Sequence, residues 1–551
     1  MKAGKVLFLV LLTMVSLCVV NTVPVQSQES GIITIQSDGS ITTSTGTEAP
    51  IVRDGNVYTL TDNINGYFIV VQRDSIVIDG AGYALGAQGD IGIDLSYRND
   101  VTVKDIQIGF AFYGIYLWNA TGCTITGNTL TYNGYGIYIL GASQNTITGN
   151  TATNNDIGIG LEASSNNILR DNVMDNNNNL AVYGTQAPHF DNDIDDSNTV
   201  SGKKVYYLIS QNNLIINPST YPDVGYLALV NCQNITVNNL EITKNAHGVL
   251  LAYTTGATIT QNVLKDNSVG VGLVASTANY IGDNDIVENT RGIQLSNSST
   301  SNTISANDVS SNKEGMFLFS SSQNTFFGNN ITNNEIGVGF KAASNNMFRG
   351  NFFVDNEDQV YDVSEYDTTV TMSTNMWDFS YQVGGNYWSD YTGVDVMSGA
   401  GQNQTGSDGK GDTAYIINTK NKDNYPILPY GSPFGISVVT PQNKTYTTTD
   451  VALDFTVNEA TSWIRYSLDG QANVTITDNI TLSGLAEGVH SVTVYAQDTE
   501  GQTRTSGTIY FTISQGAEPA QTEAFPTEIV IIAAAAVAVV VVVIYFMKRK
   551  K

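Results

Sequence analysis

Three groups of residues in this chain have types and spacings that can do chemistry. The first is His189 with Asp191, Asp193, Asp195 and Asp196 just beyond it. An imidazole near neutral pKa beside carboxylates is the material of general acid–base catalysis. If the chain has a catalytic groove, these residues place it here, with His189, Asp191 and Asp193 as its candidates. The competing reading is a solvated acidic loop. The second group is Ser407-Asp408-Gly409-Lys410-Gly411-Asp412. Asp408 and Asp412 among glycines suit a hard cation such as Ca2+, although the distal Glu of an EF-hand loop is missing. The third is Tyr116, Trp118 and Tyr138, set among Asn and Thr. Outward rings stack on sugar faces while amides and hydroxyls bond sugar hydroxyls. Ordinary decoration of a sheet is the alternative.

These residues have to be positioned by something, and the positioning element is a repeat. Gly114, Gly136 and Gly158 are 22 residues apart, and so are Asn128, Asn150 and Asn172. Further on, Gly248, Gly270, Gly292, Gly315 and Gly337 are spaced 22, 22, 23 and 22. Asn262, Asn284, Asn307, Asn329 and Asn351 keep the same steps. Each unit holds short alternating segments such as Thr146-Ile147-Thr148, with the apolar residues on one face. One unit cannot bury that face alone, but stacked units can, with Ile over Ile. The pattern predicts an all-β fold, a right-handed parallel β-helix with coils of about 22 residues. The Leu-x-x-Leu-x-Leu scaffold of a leucine-rich repeat is missing. The recurring Asn suits a left-handed turn, with its amide bonded to the same Asn one coil on.

The β-helix should cover residues 31–430. Its N-terminal cap lies over 31–70, irregular coils with long loops over 185–247, and a closing segment from about 370. Cys123 and Cys232 sit several coils apart, about 20 Å at 4.8 Å per coil, too far for a disulfide. Residues 436–514 hold about seven short alternating runs with turns at Asp469-Gly470 and Glu487-Gly488. They predict an immunoglobulin-like sandwich that spaces and presents the β-helix.

The ends predict location. Residues 1–28 read as a signal peptide, with Lys2 and Lys5 ahead of an apolar run. Residues 529–547 carry no charge, and nineteen residues at about 1.5 Å each span about 28 Å, close to a hydrocarbon core. The basic tail at 548–551 belongs on the cytoplasmic side, so the rest of the chain lies outside, above a stalk at 515–528. A single-pass cell-membrane protein with an outer ectodomain is expected. In that setting Asn119, Asn234, Asn297, Asn330, Asn403, Asn443, Asn473 and Asn479 are N-glycosylation acceptors by motif. The formal net charge of −26 argues against a nucleic-acid partner, because phosphate needs clustered Lys and Arg.

The coils, the Ile78-Asp79-Gly80-Ala81-Gly82-Tyr83 segment and residues 198–207 (NTVSGKKVYY) resemble the NosD-type β-helix family, which overlaps the class named for carbohydrate-binding proteins and sugar hydrolases. Gly384-Gly385-Asn386-Tyr387-Trp388-Ser389-Asp390-Tyr391, Gly411-Asp412-Thr413 and Asp423-Asn424-Tyr425-Pro426 resemble the block that closes the β-helix in archaeal surface members. The resemblance covers about residues 50–430 and speaks for fold, since fold alone does not carry function. It implies copper, because founding members are described as periplasmic copper-binding proteins serving nitrous oxide reductase. Copper wants His, Cys or Met. The chain has His189, His247 and His490, and Met372 and Met376 ahead of Trp377; apolar packing is the simpler role for the Met pair. Tyr183-Gly184 and Pro188-His189-Phe190-Asp191 are also loosely similar to the Tyr-Gly-x-Asp-Pro-His signature of uronan epimerases, with altered spacing and no Asp before the Pro. The leading expectation is a surface-anchored β-helix that binds extracellular glycan or an envelope protein. A polysaccharide lyase, hydrolase or epimerase is the alternative, and a copper-binding maturation factor the third reading.

Overall fold

Each 22-residue unit closes one turn of a β-solenoid from three short strands. In one turn these are Thr124–Thr126, Thr129–Thr131 and Tyr135–Leu140. Each lies parallel on its counterpart one period later, pairing Ile125 with Ile147, Leu130 with Ala152 and Ile137 with Ile159. The computed structural model describes residues 31–428, 436–457, 461–498 and 503–514, and the chain divides into two compact units, 1–429 and 430–551. The first unit is a right-handed-type solenoid of about 14 turns with almost no helix.

The recurring Asn is buried at the corners and forms ladders. Asn128 Nδ2 donates to Asn150 Oδ1 at 2.9 Å, Asn150 to Asn172 at 3.0 Å and Asn172 to Asn198 at 2.8 Å. Asn150 Nδ2 also donates to the Ile125 carbonyl at 2.8 Å, satisfying a corner group the sheets leave unpaired. One expectation needs correcting. The ladder Asn does not carry the left-handed backbone; the residue before it does, with φ of 66° at Gly127, 64° at Gly149 and 53° at Asp171. The Asn keeps an ordinary conformation because its amide must point along the solenoid axis. The repeating Gly has a separate cause. A Cβ on Gly136 would stand 2.6 Å from the Gly158 carbonyl oxygen of the next coil.

Residues 185–247 join two stacks of coils. The strands Asp193–Ile194 and Thr199–Val200 still lie parallel on the coil before them. The chain then turns back, and Lys203–Ile209 pairs antiparallel with Thr199–Val200. From Lys203–Ile209 onward a second stack builds in parallel through Val224–Val230 and His247–Ala252. Val224–Val230, His247–Ala252 and Val269–Val274 are buried at every position. Their Leu227, Leu229, Val249 and Leu251 enter the second core, while Tyr226, Ala228, Val230 and Leu250 on the opposite face join the first. The outer face of the second stack thus closes the open end of the first. Asn179 N donates to the Lys244 carbonyl, Ser268 Oγ to Asn178 Oδ1 and Tyr207 Oη to the Phe190 carbonyl across this junction, at 2.8, 2.9 and 2.7 Å.

At its far end the second core is closed by rings. Phe326 stacks on Phe348 at 4.4 Å, Phe348 on Trp377 at 4.6 Å and Phe353 on Trp388 at 4.3 Å. Cys123 and Cys232 are free thiols, both buried.

The second unit has a three-stranded sheet of Ile436–Thr440, Val451–Val457 and Ile480–Leu482, and a six-stranded sheet centred on Gly488–Asp498. Leu453, Val494 and Phe511 from the two sheets share one core. The segments read as signal peptide (1–28), stalk (515–528), transmembrane helix (529–547) and basic tail (548–551) lie outside the described residues. Among the described residues no helix is long and apolar enough to cross a membrane.

Candidate functional site

The lateral face of the first stack carries a patch of aromatic rings. Register puts Tyr113 beside Tyr135 and Tyr116 beside Tyr138. Tyr113 stacks on Tyr138 at 5.0 Å and Tyr116 on Tyr138 at 5.9 Å, each pair within 9° of parallel. Gly160, in the next coil, leaves room for this packing; a Cβ there would stand 3.1 Å from Tyr135 and 3.2 Å from Tyr138. Tyr138 Oη donates to Glu162 Oε2 at 2.5 Å. Burial, then Tyr113 and Glu162, push the Tyr135 phenol up to about 12. Burial and the Glu162 hydrogen bond hold Tyr138 above its ordinary value too, so both phenols stay protonated as donors.

Around this floor stand rings that face solvent. Phe110 is 67% exposed, Tyr132 60% and Trp118 40%. Phe110 stacks on Tyr132 at 5.7 Å, and Tyr97 packs on Trp118 at 4.8 Å. Tyr97, Phe110 and Tyr132 have φ of 59°, 65° and 57°. The corners of the solenoid repeat this conformation from coil to coil, and a bulky L-residue there carries a cost of about 1–2 kcal/mol.

The three rings singled out in the sequence therefore have different roles. Trp118 is presented to solvent, Tyr116 is half-buried, and Tyr138 is only 7% exposed, its face covered by its neighbours. Tyr97, Phe110, Phe112, Tyr113, Tyr132 and Tyr135 went unnoticed in the sequence. The signal was there: Phe110 and Tyr132, like Tyr113 and Tyr135, are one period apart.

His189 lies in the short 3-10 turn Ala187–Phe190. Its Nδ1 accepts from the backbone N–H of Thr185 and Gln186 at 3.2 and 3.4 Å, so the ring caps its own turn. Asp191 and Asp193 are exposed. Arg170 pairs with Asp193 and, at 2.9 Å, with Asp195; Lys204 pairs with Asp196 at 2.7 Å. Arg170 and Lys204 thus offset half of the run's four negative charges. Asp408 and Asp412 turn their carboxylates onto backbone amides. Asp408 accepts from Gly399 N and Lys410 N at 3.1 Å, and Asp412 from Val396 N and Met397 N at 3.2 and 3.0 Å. Oxygens aimed at N–H donors tie a loop together; they do not form a cation cage. Among the described residues no three His, Cys, Asp or Glu side chains converge as a metal site. Of the sequon residues, Asn297 is half-buried and points its amide at the Gly184 carbonyl, 3.4 Å away. Asn119, Asn234, Asn330, Asn403, Asn443, Asn473 and Asn479 are exposed.

The profile of the NosD family, described as periplasmic copper-binding protein, matches residues 54–217 and 190–393. The chain belongs to this family. Halomucin of Haloquadratum walsbyi (strain DSM 16790 / HBSQ001) is 42% identical over 105 residues, covering 17% of this chain and 1% of halomucin. Among solved structures, the periplasmic alginate epimerase AlgG is similar at 12% identity, covering 57% of this chain and 67% of that one, with a TM-score of 0.24. The catalytic domain of a GH87 α-1,3-glucanase matches at 13% identity, covering 60% and 63%, with a TM-score of 0.23. The tailspike protein of E. coli bacteriophage HK620 matches at 10% identity, covering 81% and 74%, with a TM-score of 0.18.

The copper of the family's description does not fit the described residues of this member. His247 is buried, and burial lowers its imidazole to about 4. His490 pairs with Asp469 in the second unit, at 2.8 Å. Burial raises both cysteine thiols, Cys123 to about 11, away from the thiolate that binds metal. Met372 Sδ accepts from Thr419 Oγ1 at 3.6 Å, and Met376 is exposed.

Proposed function

We propose that this chain is an exported, surface-held β-solenoid that binds glycan through the aromatic face of its first stack. One observation carries the reading. Phe110, Tyr132, Tyr97 and Trp118 present rings to solvent from a floor of tyrosines locked by Glu162. Exposed rings grouped on one face mark a binding surface, and alternating rings and hydroxyls suit the apolar and polar sides of a sugar. The charged, then apolar N-terminus and the apolar 529–547 with its basic tail support export and anchoring. We read the second unit as an immunoglobulin-like spacer; its two sheets over one core support this. Modification of the bound glycan is a second reading, favoured by the Tyr138–Glu162 phenol–carboxyl pair on the same face.

A glycan array with the purified chain tests the proposal, followed by product analysis on each glycan retained. The expected result is retention of at least one glycan class. The double substitution Phe110→Ala/Tyr132→Ala then weakens binding about tenfold, or ~1.4 kcal/mol, with an unchanged melting temperature. No retained glycan, or equal binding by the double variant, would overturn it. A new reducing end or an unsaturated sugar would move the assignment from binding to modification.

A further inference from the structure

We propose that the aromatic face takes uncharged glycans and rejects uronate polymers. The inference rests on the glycan reading above and adds the chemical class of ligand.

The observation is one of charge. Between Lys104 and Arg170 the chain contains no Lys or Arg at all, although it contains Asp105, Asp156 and Glu162. That stretch supplies almost the whole floor: Gln107–Trp118, Tyr135–Leu140 and Ile157–Glu162. The flanking strand Ala84–Asp94 also lacks a cation. The face itself therefore offers rings, phenols and amides, and no guanidinium or ammonium.

The cations that bracket this stretch in the chain, and Arg291 from the second stack, are already engaged. Arg98 pairs with Asp74 at 3.3 Å and Lys104 with Asp79 at 2.5 Å. Arg170 is held between Asp193 and Asp195. Arg291, on the second stack, pairs with Glu314 and lies 4.4 Å over the Phe317 ring. Recognition of a carboxylate uses an Arg fork or a Lys point charge, and releasing one here would strand its acidic partner.

The carboxylates, in contrast, stand within the face. Asp94 is in register with Tyr116, and Glu162 accepts from Tyr138. In register on a parallel strand, Asp94 leaves the sheet on the same side as Tyr116, and burial, then Tyr113, Asp94, Tyr97 and Glu162, raise the Tyr116 phenol. A uronate laid on these rings would meet like charge with no counter-charge. A neutral sugar would meet stacking surfaces and donors for its hydroxyls.

Direct binding of the full-length chain to four soluble polymers tests this. Laminarin and galactomannan are the uncharged probes; alginate and polygalacturonate are the uronans. Each is titrated at about 0.15 M and about 1 M salt, where the screening length falls from about 8 to about 3 Å. The expected result is that an uncharged polymer binds with little change between the two salts. Both uronans bind at least tenfold more weakly at the lower salt, and Asp94→Asn/Glu162→Gln narrows that gap. Uronan binding equal to or tighter than that of the uncharged polymers at low salt overturns the charge inference while leaving the glycan reading intact. An unchanged gap in the double variant overturns the assignment of Asp94 and Glu162 as its cause. If none of the four polymers binds, the glycan reading itself falls.

Discussion

The two stacks of the solenoid use one backbone to opposite ends. Both are built on parallel ladders whose commonest period is 22, and both seal their corners with Asn. In the first stack Ile and Leu fill the interior and the rings point outward, as at Tyr113, Tyr116 and Trp118. In the second stack, toward its far end, Phe326, Phe348, Phe353 and Trp377 turn inward as core, while Phe327 and Phe352 stay on the outer side. Successive residues of a strand face opposite sides, so the parity of one position decides whether an aromatic side chain becomes stability or surface. The lesson is that aromatic content says little about function here until each ring is assigned a side.

The largest expected effect tests that assignment. Phe348→Ala removes a fully buried ring stacked between Phe326 and Trp377, and should cost about 3–5 kcal/mol. Tyr132→Ala in the first stack should cost less than about 0.5 kcal/mol. Urea unfolding of both variants checks the contrast, and equal losses would break it.

The corner device should behave alike in both stacks. Asn284 donates to the Ile259 carbonyl and to Asn307, at 2.8 and 2.9 Å, and accepts from Asn262. Asn284→Ala and Asn150→Ala each strand buried polar partners and should each cost about 1–3 kcal/mol. A large difference between the two would show that the ladders are not equivalent.

The junction and the far end should respond to pH with opposite signs. Asp423 is buried, accepting from Trp388 Nε1 at 3.0 Å and Asn386 N at 2.7 Å, and burial raises its carboxyl to about 7. The folded state binds this proton more tightly than the unfolded one, so the closing segment gains stability as pH falls from about 7 toward 4. His247 at the junction is held neutral by burial, with a folded value of about 4 against 6.5. There the unfolded state binds the proton first, and stability is lost as pH falls from 6.5 toward 4. Hydrogen exchange corrected for intrinsic rate should slow at Asn386 and Tyr425 and quicken at residues 247–252 over this range. Asp423→Asn should abolish the first trend only.

The smallest effect concerns the acidic run. Asp193 is 64% exposed, so Asp193→Asn should change stability by no more than about 1 kcal/mol and leave glycan retention unaltered. A lost activity in that variant would restore the His189 region as a site.

Much of the solenoid was legible because two markers, Gly136-type and Asn150-type, keep one register, and each has its own cause in close backbone approach and amide ladders. The reversal after Val200 was not legible. Ser201-Gly202 reads as any tight turn, and nothing local says that Lys203–Ile209 will pair backwards. A faint signal did exist in Tyr226-Leu227-Ala228-Leu229-Val230, since a strand apolar on both sides is buried on both sides. The aromatic face was half legible: Trp118 and Tyr116 stood out, but the exposed Phe110 and Tyr132 sit at corners where Asn, Asp or Gly is the ordinary choice.

By itself the sequence determined the coil, its period, its ladders and the absence of positive charge between Lys104 and Arg170. Those properties follow from residue type and spacing, and stacking repeats them without reference to distant parts. Tertiary structure alone decided that there are two stacks, that one closes the other, and which rings remain at the surface. These depend on a chain reversal and on packing between residues as far apart as Asn178 and Ser268, contacts that no local pattern encodes.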